Sequence, residues 1–414
     1  MKKKTGTNRK GIQKKTRKQQ KYLVLFLVSF FLAIFIGSLF LSGIYIFRIV
    51  EKNEKTENPD AVPSSVRAQE ISVIPFPGTE PVISQTVDEA QETMEDAVMT
   101  MAFAGDVMFD DSYSIMNYYR SVGGEITKCF DETLLGYMKQ ADLFMVNNEC
   151  TFTNRGTPTE GKTYTFRSDP QNAKILQDMG VDLVSLANNH AYDYGEISIL
   201  DTMDTLTGSG IEYVGAGTTL DEAKTPFYYE IEGTKVAIVA ATQIERMPNP
   251  DTKGATQNSP GVFRCFEPEL LCEVIKTAKE NSDFVIVYVH WGAENTTEID
   301  WAQRDQAILF EEAGADLIVG DHPHCLQGIT YINDTPVIYS LGNFWFNSKT
   351  VDTGLLQITV KGNSLEQIQF IPCRQQACRT LLLTGQDRDN VLGQLRTLSP
   401  EVISDENGNL EKMK

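Results

Sequence analysis

Basic residues are scarce where most of the chain lies. Between Met99 and Pro400 there are 41 acids against 21 bases. Such a surface does not draw in a polyanion at long range, so nucleic acid is excluded as a partner. No Cys-x-x-Cys pair occurs among the seven cysteines (Cys129, Cys150, Cys265, Cys272, Cys325, Cys373 and Cys378). That removes a zinc ribbon, and the odd number removes a fully paired disulfide framework. Cys373 and Cys378 could bridge across a short loop, but small buried thiols account for most of the seven, Cys150 and Cys325 included.

Acids are missing from residues 1–21, which carry ten Lys or Arg, and charge of either sign is missing from the 26 residues Tyr22 to Phe47. At about 1.5 Å per residue that run is long enough to cross a bilayer with some tilt. A secretory signal peptide would have an apolar core of about 7–15 residues closed by small residues, whereas Leu39 to Phe47 stays bulky. The expectation is one transmembrane helix in the cell membrane, with the basic flank cytoplasmic and everything beyond residue 48 extracytoplasmic. Arg48 to Val98 is rich in Pro, Ser, Glu, Gln and Thr with no sustained period, the composition of a disordered stalk. Residues 99–400 then read as one domain and 401–414 as a polar tail.

Histidine is scarcer still. The chain has four, His190, His290, His322 and His324. All follow apolar runs of strand length: Leu183 to Ala187, Phe284 to Val289 and Asp316 to Gly320. Two further runs end in acids, Thr100 to Ala104 before Gly105-Asp106 and Ala141 to Val146 before Asn147-Asn148-Glu149. Five strand ends thus offer carboxylate, amide oxygen and imidazole, the ligand set of a hydrolytic site for divalent ions, two if the set is filled, with Mn, Fe or Zn as candidates.

Between these runs lie helix signals. Asp131 to Lys139 has helical spacing, and Ser168-Asp169-Pro170 caps a helix that stops at Gly180. Glu196 to Thr207, Pro268 to Asn281 and Ala302 to Ala313 follow. Phe227 to Glu232 and Lys235 to Thr242, joined at Gly233-Thr234, suggest an antiparallel pair. After His324 the pattern is mostly β. A βαβ series followed by strands predicts a layered α/β sandwich.

Within the candidate site, Asp106 and Glu149 are carboxylate ligands, Asn189 an amide ligand, and His290, His322 and His324 imidazole ligands. His322 and His324 share a side if the segment is extended. His190 suits metal binding or general acid chemistry, and Asp193 is placed to fix its tautomer. Asn147, Asn188, Glu294 and Asn343 are candidates for substrate contact. Arg167 is the candidate for gripping a carboxylate or phosphate.

Together, Gly105-Asp106-Val107-Met108, Asn147-Asn148-Glu149, Ser185 to His190, Asp193-Tyr194-Gly195, His290-Trp291-Gly292, His322-Pro323-His324 and Tyr339 to Phe344 resemble the capsule synthesis protein CapA family, over about residues 99–375. That family is associated with poly-gamma-glutamate capsule biosynthesis and is similar in fold to calcineurin-like metallophosphoesterases. The resemblance implies a four-layer α/β/β/α sandwich behind the membrane anchor, with a dinuclear-type site at the residues just named. It departs from phosphoesterases at the first strand, which usually carry Asp-x-His where this chain has Asp106-Val107-Met108. Three functions follow as expectations: a metal-dependent hydrolase or transferase acting on poly-gamma-glutamate or another anionic envelope polymer; a non-catalytic polymer-binding subunit of a membrane synthesis or export complex; and a phosphoester hydrolase.

Overall fold

The computed structural model describes residues 98–244 and 252–413. The expected membrane run and stalk lie outside them. Among the described residues no helix is long and apolar enough to cross a membrane.

The first strand shows how the fold is laid down. β1 (Val98–Val107) alternates: Met99, Met101 and Phe103 enter one apolar cluster, while Ala102 and Ala104 enter another. This is the period of two expected when a strand is covered on both faces. β2 (Leu143–Asn148), β3 (Leu183–Ser185) and β4 (Glu212–Val214) extend the sheet in parallel from one side of β1. The second sheet begins with β5 (Phe227–Ile231) and β6 (Thr234–Thr242), paired antiparallel around Gly233 as the sequence suggests. β7 (Phe284–His290) and β8 (Leu317–Asp321) continue from β6 in parallel. β9 (Ile329–Ile332) and β10 (Thr335–Ile338) complete the order β9-β10-β8-β7-β6-β5.

The chain then returns to the first sheet. β11 (Asn343–Trp345) pairs with β1, and β12 (Val351–Lys361), β13 (Ser364–Gln376) and β14 (Arg379–Leu382) run antiparallel on its other side. Phe103, Met145 and Leu183 from the first sheet share one core with Ile238, Tyr288 and Leu317 from the second. On its other face the first sheet is covered by α1 (Ser114–Ser121), α2 (Glu132–Gln140), α3 (Lys174–Met179) and α4 (Glu196–Gly208). The second sheet is covered by α5 (Glu269–Glu280) and α6 (Trp301–Ala313).

Caps start and stop these helices where the sequence places them. Asp131 accepts from Leu134 N, and Asp300 with Gln303 forms a reciprocal capping box. Gly180 and Gly314 end α3 and α6 in the left-handed region.

Two stretches differ from expectation. α7 (Gly385–Leu398) lies in a region whose pattern is mostly β, and it buries only Val391, Leu392 and Leu395, too few to mark an apolar stripe. Residues 401–413 are not a loose polar tail, since Val402–Ser404 pairs with Leu410–Lys412 and buries Val402 and Leu410 in the inter-sheet core. Only two apolar side chains are needed there, too few to alter the composition. The seven cysteines are all free, and Cys150 is fully buried as packing.

Candidate metal centre

The parallel strands of both sheets end along one edge. Asp106 on β1 stands opposite Asn147 on β2 and Asn343 on β11, and His290 on β7 stands opposite Asp321 on β8. Gly105 permits this pairing, because a Cβ there would lie 1.9 Å from the carbonyl oxygen of Gly342, against which Asp106 N is hydrogen-bonded at 3.0 Å. His322 and His324 leave β8 with φ of +92° and +58°. This is backbone strain at a functional edge, and it replaces the extended conformation expected of the segment.

Among the described residues, three groups of side chains come close enough to share an ion. They are Glu149, His290 and His322; Asp106, Glu149 and His324; and Asp106, His290 and Asp321, each with ligand atoms within 4.8 Å of one another. Glu149 is common to two. Its carboxylate is fully buried, and neither oxygen accepts a hydrogen bond from any described residue. Oε1 stands 3.7, 4.0 and 3.9 Å from Nε2 of His190, His290 and His324. Those gaps are too long for hydrogen bonds and short enough for two ligand atoms to share a cation bound at about 2.0–2.2 Å. Asp321 Oδ2 is orphaned in the same way. Orphaned buried carboxylate oxygens are costly unless a cation meets them, so this donor set fits a divalent metal.

The protonation tendencies agree. Burial, with the charges of Asp106 and Asp321 beside it, pushes the Glu149 carboxyl well above its ordinary range, and burial does the same to Asp321. Burial also opposes ionisation of Asp106, but the hydrogen bond and charge of His324 outweigh it and carry that carboxyl below the usual range. Burial pulls the His290 imidazole down to about 3, leaving it neutral and able to ligate. Raised carboxyls beside a neutral imidazole suit a donor set that meets a cation.

An amide chain props the first sheet's ligands. Asn147 Nδ2 donates to Asp106 Oδ1, Asn188 Nδ2 donates to Asn147 Oδ1, and Asn188 Oδ1 accepts from His190 N, each at 2.9 Å. Asn147 and Asn188 are therefore occupied as scaffold, and neither lines the cavity described next; contact with substrate, expected from sequence, is not what the structure shows for them. Asn189 Oδ1 lies 2.8 Å from His290 Nε2. His190 Nδ1 bonds Asp193 Oδ2 at 2.7 Å, and its ring packs against Phe166 with centroids 4.3 Å apart.

A cavity of about 430 Å³ opens onto this edge. His190, His324, Glu294 and Asn343 line it, with Tyr164, Phe166, Phe346 and Lys349. Asn343 Oδ1 is 2.9 Å from His324 Nδ1. Arg167 does not reach the cavity: its guanidinium lies over the ring of Tyr194, 4.3 Å from the centroid, a cation–π contact that satisfies it elsewhere.

The family model for bacterial capsule synthesis protein PGA_cap matches residues 100–348, a span that contains every residue of this centre. The chain belongs to that family. It is 31% identical to PGA biosynthesis protein CapA of Bacillus subtilis over 288 residues, 68% of this chain and 73% of that one. It is 28% identical to capsule biosynthesis protein CapA of Bacillus anthracis over 315 residues, 73% of this chain and 74% of that one. Among solved structures, sulfate thiohydrolase SoxB of Thermus thermophilus has 14% identity and a TM-score of 0.36, covering 72% of this chain and 60% of that one.

Two participants in this PGA_cap domain lie outside the ligand set expected from sequence. Asp321 sits between Gly320 and His322, and its signal is a carboxylate at the end of an apolar run, in register with His290. Lys162 lies in a loop with no period, yet its ammonium is buried against Asp193 Oδ1 at 2.5 Å. No sequence signal distinguishes it from a surface lysine.

Proposed function

We propose that this PGA_cap domain is an extracytoplasmic, membrane-anchored metal-dependent hydrolase or transferase of metallophosphoesterase type, acting on an anionic envelope polymer such as poly-gamma-glutamate. The observation that carries the reading is Glu149, a buried carboxylate whose oxygens accept no hydrogen bond among the described residues, at the meeting point of three imidazoles. Asp106, Glu149, Asn189, His290, Asp321, His322 and His324 would hold one or two divalent ions. An ion bound there supplies Lewis-acid activation of a water or substrate hydroxyl. His190 lines the cavity; with its Nδ1–H held by Asp193, Nε2 takes up the proton of the attacking water or hydroxyl and passes it to the leaving group. Phe166 and Phe346 wall the cavity and keep water from the imidazoles.

One observation favours a non-catalytic role in a synthesis or export complex. Met108, where a phosphoesterase usually has histidine, is fully buried in the helix-side core and supplies no ligand to the edge. Metal content decides between the readings. The purified full chain, reconstituted with Mn, Fe or Zn, is expected to hold close to two equivalents, and a folded His190→Ala, His322→Ala double variant clearly less. Absence of metal from both after reconstitution would leave the assembly role.

A further inference from the structure

The loop of residues 153–166 is tied to the turn that carries His190 by an unusual set of bonds. Thr159 N donates to Asp193 O at 2.8 Å, and Thr159 Oγ1 reaches the carbonyls of Tyr192 and Asp193 at 3.2 and 3.1 Å. Phe166 N donates to Asp193 Oδ2 at 2.6 Å. Lys162 sends its ammonium inward, donating to Asn189 O and to Asp193 Oδ1. Its side chain is only 6% exposed and that of Asp193 is 0% exposed.

Burying an ammonium is costly unless its partners are close and its geometry fixed, so a buried lysine in a loop needs a compensating carboxylate. Here the compensation falls on one carboxylate. Asp193 accepts from Lys162 on Oδ1, and from both Phe166 N and the His190 ring on Oδ2. Lys162 thus touches the Asn189 backbone directly and, through that carboxylate, the His190 imidazole and the aromatic wall of the cavity.

We infer that Lys162 is a positioning residue: by pinning Asp193 between the 153–166 loop and the Asn189–Asp193 turn, it orients the His190 ring so that Nδ1 carries the proton and Nε2 is turned toward Glu149. The inference rests on the reading of His190 given under the proposed function. It adds that the loop and the imidazole are set as one unit. Without the ammonium, Oδ1 has lost its donor and the carboxylate rotates, so Oδ2 no longer serves Phe166 N and His190 Nδ1 at once.

The test uses the full chain with ¹⁵N-labelled histidine, loaded with zinc. The chain's four histidines make the ring spectrum sparse enough to assign by single substitutions. In the parent, His190 is expected as the neutral Nδ1–H tautomer. Lys162→Met is expected to mix its tautomers and to raise amide exchange by about tenfold or more in residues 153–166 and 189–195, with metal content unchanged. Thr159→Val, which removes a tether of the same loop without touching the carboxylate, is expected to loosen residues 153–166 and leave the His190 ring signals in place. Lys162→Arg, which keeps the charge, is expected to restore the parent ring spectrum.

An unchanged His190 ring in Lys162→Met, or an equal change in Thr159→Val, overturns the positioning role. If Lys162→Met does not fold, Lys162→Gln is read in the same way; failure of both to fold makes Lys162 a stability residue and overturns the inference. Absence of metal from the parent sinks the proposed function instead, and the tautomer comparison is still readable.

Discussion

Glu149 sets the terms at the level of single residues. It is the one carboxylate that faces three imidazoles without a hydrogen bond among the described residues, so its substitution should act on metal before anything else. Glu149→Gln keeps the shape and removes the charge; metal titration should show loss of binding with the fold retained by circular dichroism. Asn147→Ala acts at one remove, by freeing the Asp106 carboxylate, and should cost about 10–100-fold in metal affinity. Arg167 is the contrasting case. Its cation lies over Tyr194 outside the cavity, so Arg167→Ala should leave metal content intact and cost about 0.5–1 kcal/mol of stability, read by thermal unfolding.

At the level of elements, the site is a product of register. Asp106 meets Asn147 through the β1–β2 pairing, and meets Asn343 because β1 closes on the residue before β11 at Gly105 and Gly342. Gly105→Ala forces those backbones apart; about 1–3 kcal/mol of destabilisation is expected, accompanied by reduced metal content because the carboxylate moves with the strand. The strands that matter are legible in the sequence, since an apolar run ending in Asp, Asn or His carries both its period and its chemistry in adjacent residues. α3 and α6 are legible through Asp169-Pro170, Gly180 and Gly314. α1 and α7 are not, and the lack of a side-chain cap at Tyr113 and Thr384 does not account for it, since α4 and α5 also start without one. Asn147 and Asn188 stand out in the sequence as site residues, but their work does not, since only the three-dimensional chain of amides shows that their polar atoms are already used. Lys162 escapes because its partners lie 27 and 31 residues away, a relation no local pattern encodes.

Across the whole molecule, charge at the centre couples metal, pH and stability. Glu149 and Asp321 have carboxyls raised above their unfolded values, chiefly by burial. A raised carboxyl stabilises the fold below its unfolded pKa, and that contribution is lost as pH climbs through the folded pKa. The chelated protein should therefore lose thermal stability from the ordinary carboxylate range upward, while the metal-loaded protein, whose cation meets those charges, should hold its stability near neutral pH. Equal profiles with and without chelator, followed by scanning calorimetry, would remove the cation from the account. The last residues bear on how the two sheets are kept together along their flank. The 402–412 hairpin lies between them, with Gly408 O accepting from Phe370 N on β13, Lys412 Nζ donating to Asn333 O beside β9, and Val402 and Leu410 facing the shared core. It is a seam, and an expression boundary drawn at Pro400, where composition alone would draw it, unpicks the stitching and leaves the inside of the sandwich wet.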